Sequence, residues 1–169
     1  ATIASNLVES TLFGHVKGAF TGADKNYSGC FEQAHNGTLF LSEIGDLDLT
    51  IQSKLLHVLE HMHIQRMGDH SAIPINVRLL AATKRDLRTM VNAGQFREDL
   101  YFRLCSSVVI LPALRDRNED IPLITQTLLK ELQKTYQPQS QHLTARASDE
   151  ALNRLQHYPW PGNVRELKN

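Results

Sequence analysis

Two β-prone runs separated by a helix-spaced segment constrain this chain most. Thr38 to Leu41 is apolar and follows an Asn36-Gly37 turn, the pattern of a buried strand in a parallel sheet. Ile51, Leu55, Val58, Leu59 and Met62 then recur at helical spacing, and Ile64 to Met67 suits a short strand before a Gly68-Asp69 turn. Ile75 to Thr83 is the next long strand, Asp86 to Ala93 is helical, and Gly94 is a plausible stop. Val108 to Leu111 reads as a further strand closed by Pro112. Beyond it, Ile121 to Tyr136 and Ser148 to His157 read as helices with no strand between them. This order predicts an α/β fold, a parallel sheet flanked by helices, with a boundary near Ala113 to a small helical subdomain. The chain has no internal repeat. It opens in a helix-like segment in which Asn6 and Glu9 have capping-box spacing, and Asn169 falls about two turns into another helix.

Composition removes several classes of function. With 169 residues, 41% of them hydrophobic, the chain holds one domain or a domain and a half. Lys and Arg number 18 against 18 Asp and Glu, so no global field draws it to DNA or to a membrane surface. No apolar run reaches spanning length, and the start lacks the basic-then-apolar pattern of a signal peptide. Cys30 and Cys105 are far apart in sequence, which suits reduced thiols in a cytosol better than a disulfide framework.

Gly18-Ala-Phe-Thr-Gly-Ala23 places two glycines around a Phe-Thr pair. Glycines four apart, counting Gly14, also occur in membrane helix packing, but that needs about 20 apolar residues, and His15, Lys17, Asp24 and Lys25 interrupt this stretch. A loop is the better reading, with Phe20 expected as an exposed aromatic at its tip that a partner covers. Glu43 lies just past the first strand, where an open α/β sheet gathers its ligand site, and a carboxylate there can orient an attacking water. The alternative is a Glu that merely solvates a strand end. Arg97 and Arg103 flank Glu98 and Asp99, and a plain helix would pair Asp99 with Arg103 at i, i+4. Near the end, Pro161-Gly162 makes a turn, Asn163 suits an N-cap and Glu166 completes a capping box. Arg165 then sits in the first helical turn, against the helix dipole unless it meets an anion; a solvated arginine is the alternative. His57-Val-Leu-Glu60-His61 satisfies H-x-x-E-H, a pattern in which two histidines on a helix share zinc beside a general-base Glu. The motif is short and no third ligand is specified, so solvated histidines are the plainer reading.

Leu12-Phe-Gly-His15 running into Lys17 to Ala23, with Gly37 to Gly45, Phe96 to Leu104, Leu111 to Arg117 and Trp160 to Leu167 following in order, resembles the central AAA+ ATPase domain of the sigma-54-dependent bacterial transcriptional activators. The resemblance covers essentially the whole chain. It implies an α/β core over 1–113 that lacks its phosphate loop, because no G-x-x-x-x-G-K-[ST] occurs and that loop would precede Ala1, and a helical lid over 114–169 that is cut short after Asn169. It further implies ATP with Mg²⁺, Glu43 as catalytic base, Arg97 and Arg103 as fingers reaching a neighbouring subunit's nucleotide, and Arg165 as the lid's phosphate sensor. Thr83 and Lys84 take the place of the sensor at the second strand's end, where the family usually has an amide or imidazole after the Thr. Ser42 stands where the family has a magnesium-holding Asp, so it would be a weaker metal ligand. Gly18, Phe20, Thr21 and Gly22 would contact the sigma-54 RNA polymerase holoenzyme. The parent would be a cytoplasmic ring, a hexamer, binding DNA through a separate module. The departures at Ser42 and Lys84 leave a non-hydrolysing interaction module as the rival reading.

Overall fold

The computed structural model describes residues 5–136 and 146–169. The chain divides into two compact units, Ala1–Val108 and Val109–Asn169. The first unit contains α1 (Ser5–Phe13), α2 (Cys30–Gln33), β1 (Gly37–Leu41), α3 (Leu49–His61), β2 (His63–Gln65), β3 (Ala72–Pro74), β4 (Val77–Ala81), α4 (Leu87–Asn92) and α5 (Glu98–Leu104). The second contains α6 (Ile121–Tyr136), α7 (Asp149–His157) and α8 (Asn163–Lys168).

In the first unit β1 and β4 pair in parallel, in register from Gly37 opposite Val77 to Leu41 opposite Ala81. Alternation sends Leu39, Leu41 and Leu79 into a core shared with Phe13 of α1, Ile51, Leu55 and Val58 of α3, and Leu100 of α5. The other face carries Phe40 and Leu80, partners across the two strands and 60% and 46% exposed. The expected long strand over 75–83 is shorter, because its first residues are bonded elsewhere. Ile75 N–H donates to the Met62 carbonyl at 2.8 Å, and the Asn76 carbonyl accepts from Asn36 N–H at 2.7 Å. β2 forms a hairpin with β3, a strand the sequence did not reveal, through His63–Pro74, Ile64–Ile73 and Gln65–Ala72. Val108 to Leu111, expected as a strand, has no regular secondary structure, and its apolar side chains are exposed. A strand exists only through a hydrogen-bonded neighbour, and among the described residues this segment has none.

The helix α3 starts at Asp48, whose carboxylate accepts from Ile51 N–H at 2.9 Å. Met62, expected on its apolar face, instead ends it in the left-handed conformation. Asn6 lies inside α1 and therefore does not cap it. In the second unit, Leu114, Ile121 and Trp160 form the core, with Ile124, Leu155, Val164 and Leu167 packed on it. The Trp160 indole N–H donates to the Leu155 carbonyl at 2.7 Å, so its buried polar edge is satisfied. No helix of the described residues is long and apolar enough to cross a membrane.

The first unit depends on one fully buried amide. Gln52 of α3 donates through Nε2 to the carbonyls of Leu47 at 2.8 Å and Gln95 at 3.1 Å, and its Oε1 accepts from Arg97 N–H at 2.8 Å. Gln52→Leu keeps the volume but strands three backbone groups. It is expected to lower unfolding free energy by about 3 kcal/mol, read from the midpoint of urea denaturation.

Candidate functional site

The parallel register brings the carboxyl ends of β1 and β4 side by side, and two backbone bonds continue the pairing beyond the strands. Ala82 N–H donates to the Leu41 carbonyl at 2.9 Å, and Ile44 N–H donates to the Ala82 carbonyl at 3.0 Å. Glu43 turns between them with φ 55° and ψ 45°, a left-handed conformation uncommon for a side-chain-bearing residue. Lys84 Nζ stands 3.4 Å from Glu43 Oε1, while Glu43 Oε2 is buried without a hydrogen-bond partner among the described residues. Thr83 Oγ1 accepts from Arg85 N–H at 3.1 Å, and Arg85 pairs with Asp46 at 2.9 Å. Glu43 and Lys84 therefore meet beyond the strand ends, with Ser42 and Thr83 next to them in the chain. The donors here, a hydroxyl and a carboxylate with one unused oxygen, are hard oxygens that fit a magnesium ion arriving with nucleotide phosphates, though Ser42 adds no charge.

Arg97 and Arg103 belong to the segment of α5. Arg97 is the residue before the helix, fixed through its backbone by Gln52, and its guanidinium makes a bidentate pair with Asp99 at 3.0 and 2.6 Å. That pair holds the Asp99 carboxyl below its usual range. The i, i+4 pairing of Asp99 with Arg103 is not formed. Arg103 instead donates to the Leu59 carbonyl near the end of α3 at 2.8 Å. In the second unit Arg165 is exposed on α8. Asn163 is not the N-cap there: Gly162 takes that place, Glu166 accepts from Gly162 N–H at 2.8 Å, and the Asn163 side chain accepts from Leu114 N–H at 2.8 Å. His57 and His61 bring their rings to 4.4 Å. Among the described residues no three His, Cys, Asp or Glu side chains are grouped to hold a metal ion.

The loop from Gly18 to Ala23 is closed by Gly18 N–H to the Ala23 carbonyl at 2.8 Å and Ala23 N–H to the Phe20 carbonyl at 3.0 Å. Gly18 and Gly22 have φ of 83° and 99°, and open space surrounds both, so conformation and not crowding requires glycine. Phe20 departs from the expected exposed tip. It is half-buried because its ring packs edge-on against His15, with centroids 5.0 Å apart. Thr21 is exposed.

Sequence reasoning missed the group that anchors this loop's base. Arg66 makes three contacts of 2.6 to 3.0 Å to both oxygens of Glu32, which also accepts from Ser28 Oγ at 3.1 Å. Met67, next in the chain, bonds on either side of His15: its N–H reaches the Gly14 carbonyl at 2.9 Å and its carbonyl accepts from Val16 N–H at 3.0 Å. Glu32 and Arg66 are 34 residues apart, so no local spacing announces them.

Residues 1–110 match the family described as the Sigma-54 interaction domain, and residues 115–169 match the AAA+ ATPase lid domain. The DNA-binding transcriptional regulator NtrC of Azospirillum brasilense is 49% identical over 170 residues, spanning 100% of this chain and 34% of that protein. The anaerobic nitric oxide reductase transcription regulator NorR of Escherichia fergusonii is 50% identical over 169 residues, 100% of this chain and 33% of its own length. The crystal structure of NtrX from Brucella abortus in complex with ATP superimposes with a TM-score of 0.85 at 33% identity, over 99% of this chain and 35% of that one. The chain thus spans about a third of the length of the curated relatives it matches.

The Arg66 guanidinium holds the Glu32 carboxyl below its ordinary range, and Glu32 in turn raises Arg66. Their side chains are only 20% and 26% exposed. A carboxyl depressed in the folded state adds stability that is full above its unfolded pKa and is lost as pH falls through the folded value. Glu32→Gln is expected to cost about 2 kcal/mol at pH 7, with the gap to wild type closing below about pH 4 in denaturation series.

Proposed function

Because the chain belongs to the Sigma-54 interaction domain family, joined to an AAA+ ATPase lid, we propose that it is the ATP-driven module of a sigma-54-dependent transcriptional activator. It couples ATP hydrolysis to remodelling of the sigma-54 RNA polymerase for promoter opening. The observation that carries this reading is Glu43, whose Oε2 is buried and unpartnered at the carboxyl end of a parallel strand pair. In the proposed mechanism that carboxylate takes the proton of the attacking water while the water oxygen bonds to the γ-phosphorus and the bridge to ADP breaks. Thr83 and Lys84 would hold the phosphates, Lys84 as a point charge. Magnesium, with Ser42 as a weak ligand, supplies charge neutralisation when bound. Arg97 and Arg103 act in trans on a neighbouring subunit's nucleotide, in this proposal within a hexameric ring, which requires Arg97 to leave Asp99 and Arg103 to leave the Leu59 carbonyl.

In this reading 1–113 forms the core and 114–169 the lid of a cytoplasmic protein that reaches DNA through a separate module. Phe20 and Thr21 offer an aromatic face and a hydroxyl on a glycine-turned loop, Gly18 to Gly22, suited to a protein contact. One observation favours a second reading. Lys84 beside Glu43, with Ser42 in place of an acid, suits a degenerate module that engages partners without hydrolysis.

Two substitutions in the full-length protein separate these roles. Glu43→Gln is expected to lower ATP turnover about 100-fold or more while nucleotide affinity stays within a few-fold. Phe20→Ala is expected to leave turnover intact and abolish sigma-54 binding trapped with a transition-state analogue. Wild-type promoter opening by Phe20→Ala would overturn the activator reading. A wild-type protein without turnover, unrescued by Ser42→Asp, would establish the degenerate one.

A further inference from the structure

The last turns of α3 carry two histidines that the proposed ATP chemistry does not use. His57 and His61 are exposed, and their rings approach to 4.4 Å between centroids, inclined at 64°. Side chains at i and i+4 share one face of a helix, so the approach follows from their spacing. The rings of His15, His35, His63 and His157 each have a hydrogen-bond partner, in turn Ser10, Asn76, the His61 carbonyl and the Asn153 carbonyl. Among the described residues no hydrogen bond reaches a ring nitrogen of His57 or His61, whose rings have each other. Lys54, one turn before His57, has its ammonium paired with Glu9. Glu60, exposed and three residues after His57, adds a negative charge to the same face.

We propose that His57 and His61 form a two-imidazole site for a divalent transition cation of the zinc and copper class. With metal–nitrogen bonds of about 2.0–2.1 Å, two imidazoles meeting one ion at a right or tetrahedral angle set their ring centroids about 4.5–5 Å apart. The separation of 4.4 Å lies just below that span, so a small side-chain rotation completes the chelate. Imidazole nitrogen suits these ions, whereas magnesium demands oxygen ligands and is not held. Two protein ligands leave the remaining positions to water, which makes the site a clip across one helical turn and not the three-ligand centre of a hydrolase. The clip ties the turn that contains Leu59, whose carbonyl accepts from Arg103 at 2.8 Å, and that ends at the left-handed Met62. A cation held only by the helical arrangement stabilises the folded chain by mass action.

The test titrates the full-length protein with zinc chloride and with copper(II) chloride by calorimetry, beside His57→Gln, His61→Gln and His63→Gln. These histidines are exposed and glutamine is a good helix former, so the variants keep the fold. Sites elsewhere in the protein are common to all of them, and the difference from wild type reads this pair. Removing one arm of a two-point attachment is expected to weaken binding about 100-fold or more in His57→Gln and in His61→Gln. Copper is expected to bind the wild type more tightly than zinc. His63→Gln is expected to keep wild-type affinity, because its ring is bonded to the His61 carbonyl. Zinc is expected to raise the urea midpoint of the wild type above that of His61→Gln, and magnesium to raise neither relative to the other. Wild-type affinity for zinc and copper in His57→Gln or His61→Gln overturns the site, and so does an equal loss in His63→Gln.

Discussion

The parallel register of Gly37–Leu41 on Val77–Ala81 is the constraint on which the strand-end site depends. A parallel pair brings both carboxyl ends to one edge, so Glu43 and Lys84, 41 residues apart, become neighbours without any direct sequence link. A slip of one residue would turn Leu39, Leu41 and Leu79 out of the core and put Phe40 and Leu80 in it. The hydrophobic core thus fixes the chemistry: the residues that bury one sheet face also decide which side chains meet beyond the strands. Gln52 extends the same logic to α5, because the amide that satisfies the Gln95 carbonyl also fixes the backbone of Arg97.

Much of this was legible in the sequence wherever local rules suffice. The helices α3, α6 and α7 follow from spacing. Glu43 and Thr83 were legible as strand-end positions. The failures share a cause, which is that the deciding partner is set by three-dimensional contact and not by helical or strand spacing. β3 is three residues ending in Pro74 and owes its existence to β2. Arg97 precedes its helix, so the i, i+4 rule that would give Asp99 to Arg103 does not reach the closer bidentate partner. Phe20 looks exposed in sequence because nothing adjacent announces that His15 and Tyr27 build a platform for it.

The two functional regions differ in how they are held. The strand-end cluster is set by backbone pairing and a buried core, and its ion pair is solvent-exposed and worth little by itself. The loop is held by two left-handed glycines, the edge-on contact of Phe20 with His15, Ala19 packed against Gly68, the buried Ala23 and a half-buried Glu32–Arg66 pair at its base.

The central claim is that this loop meets sigma-54, and a photo-crosslink tests it most directly. p-Benzoylphenylalanine placed at position 20 of the full-length protein, with position 102 as a control because Phe102 is also a phenylalanine and is 62% exposed, is irradiated with sigma-54 polymerase and a transition-state analogue of ATP. The account predicts a covalent adduct between sigma-54 and position 20 that depends on the analogue and is absent from position 102. An adduct from position 102 with none from position 20 would contradict it.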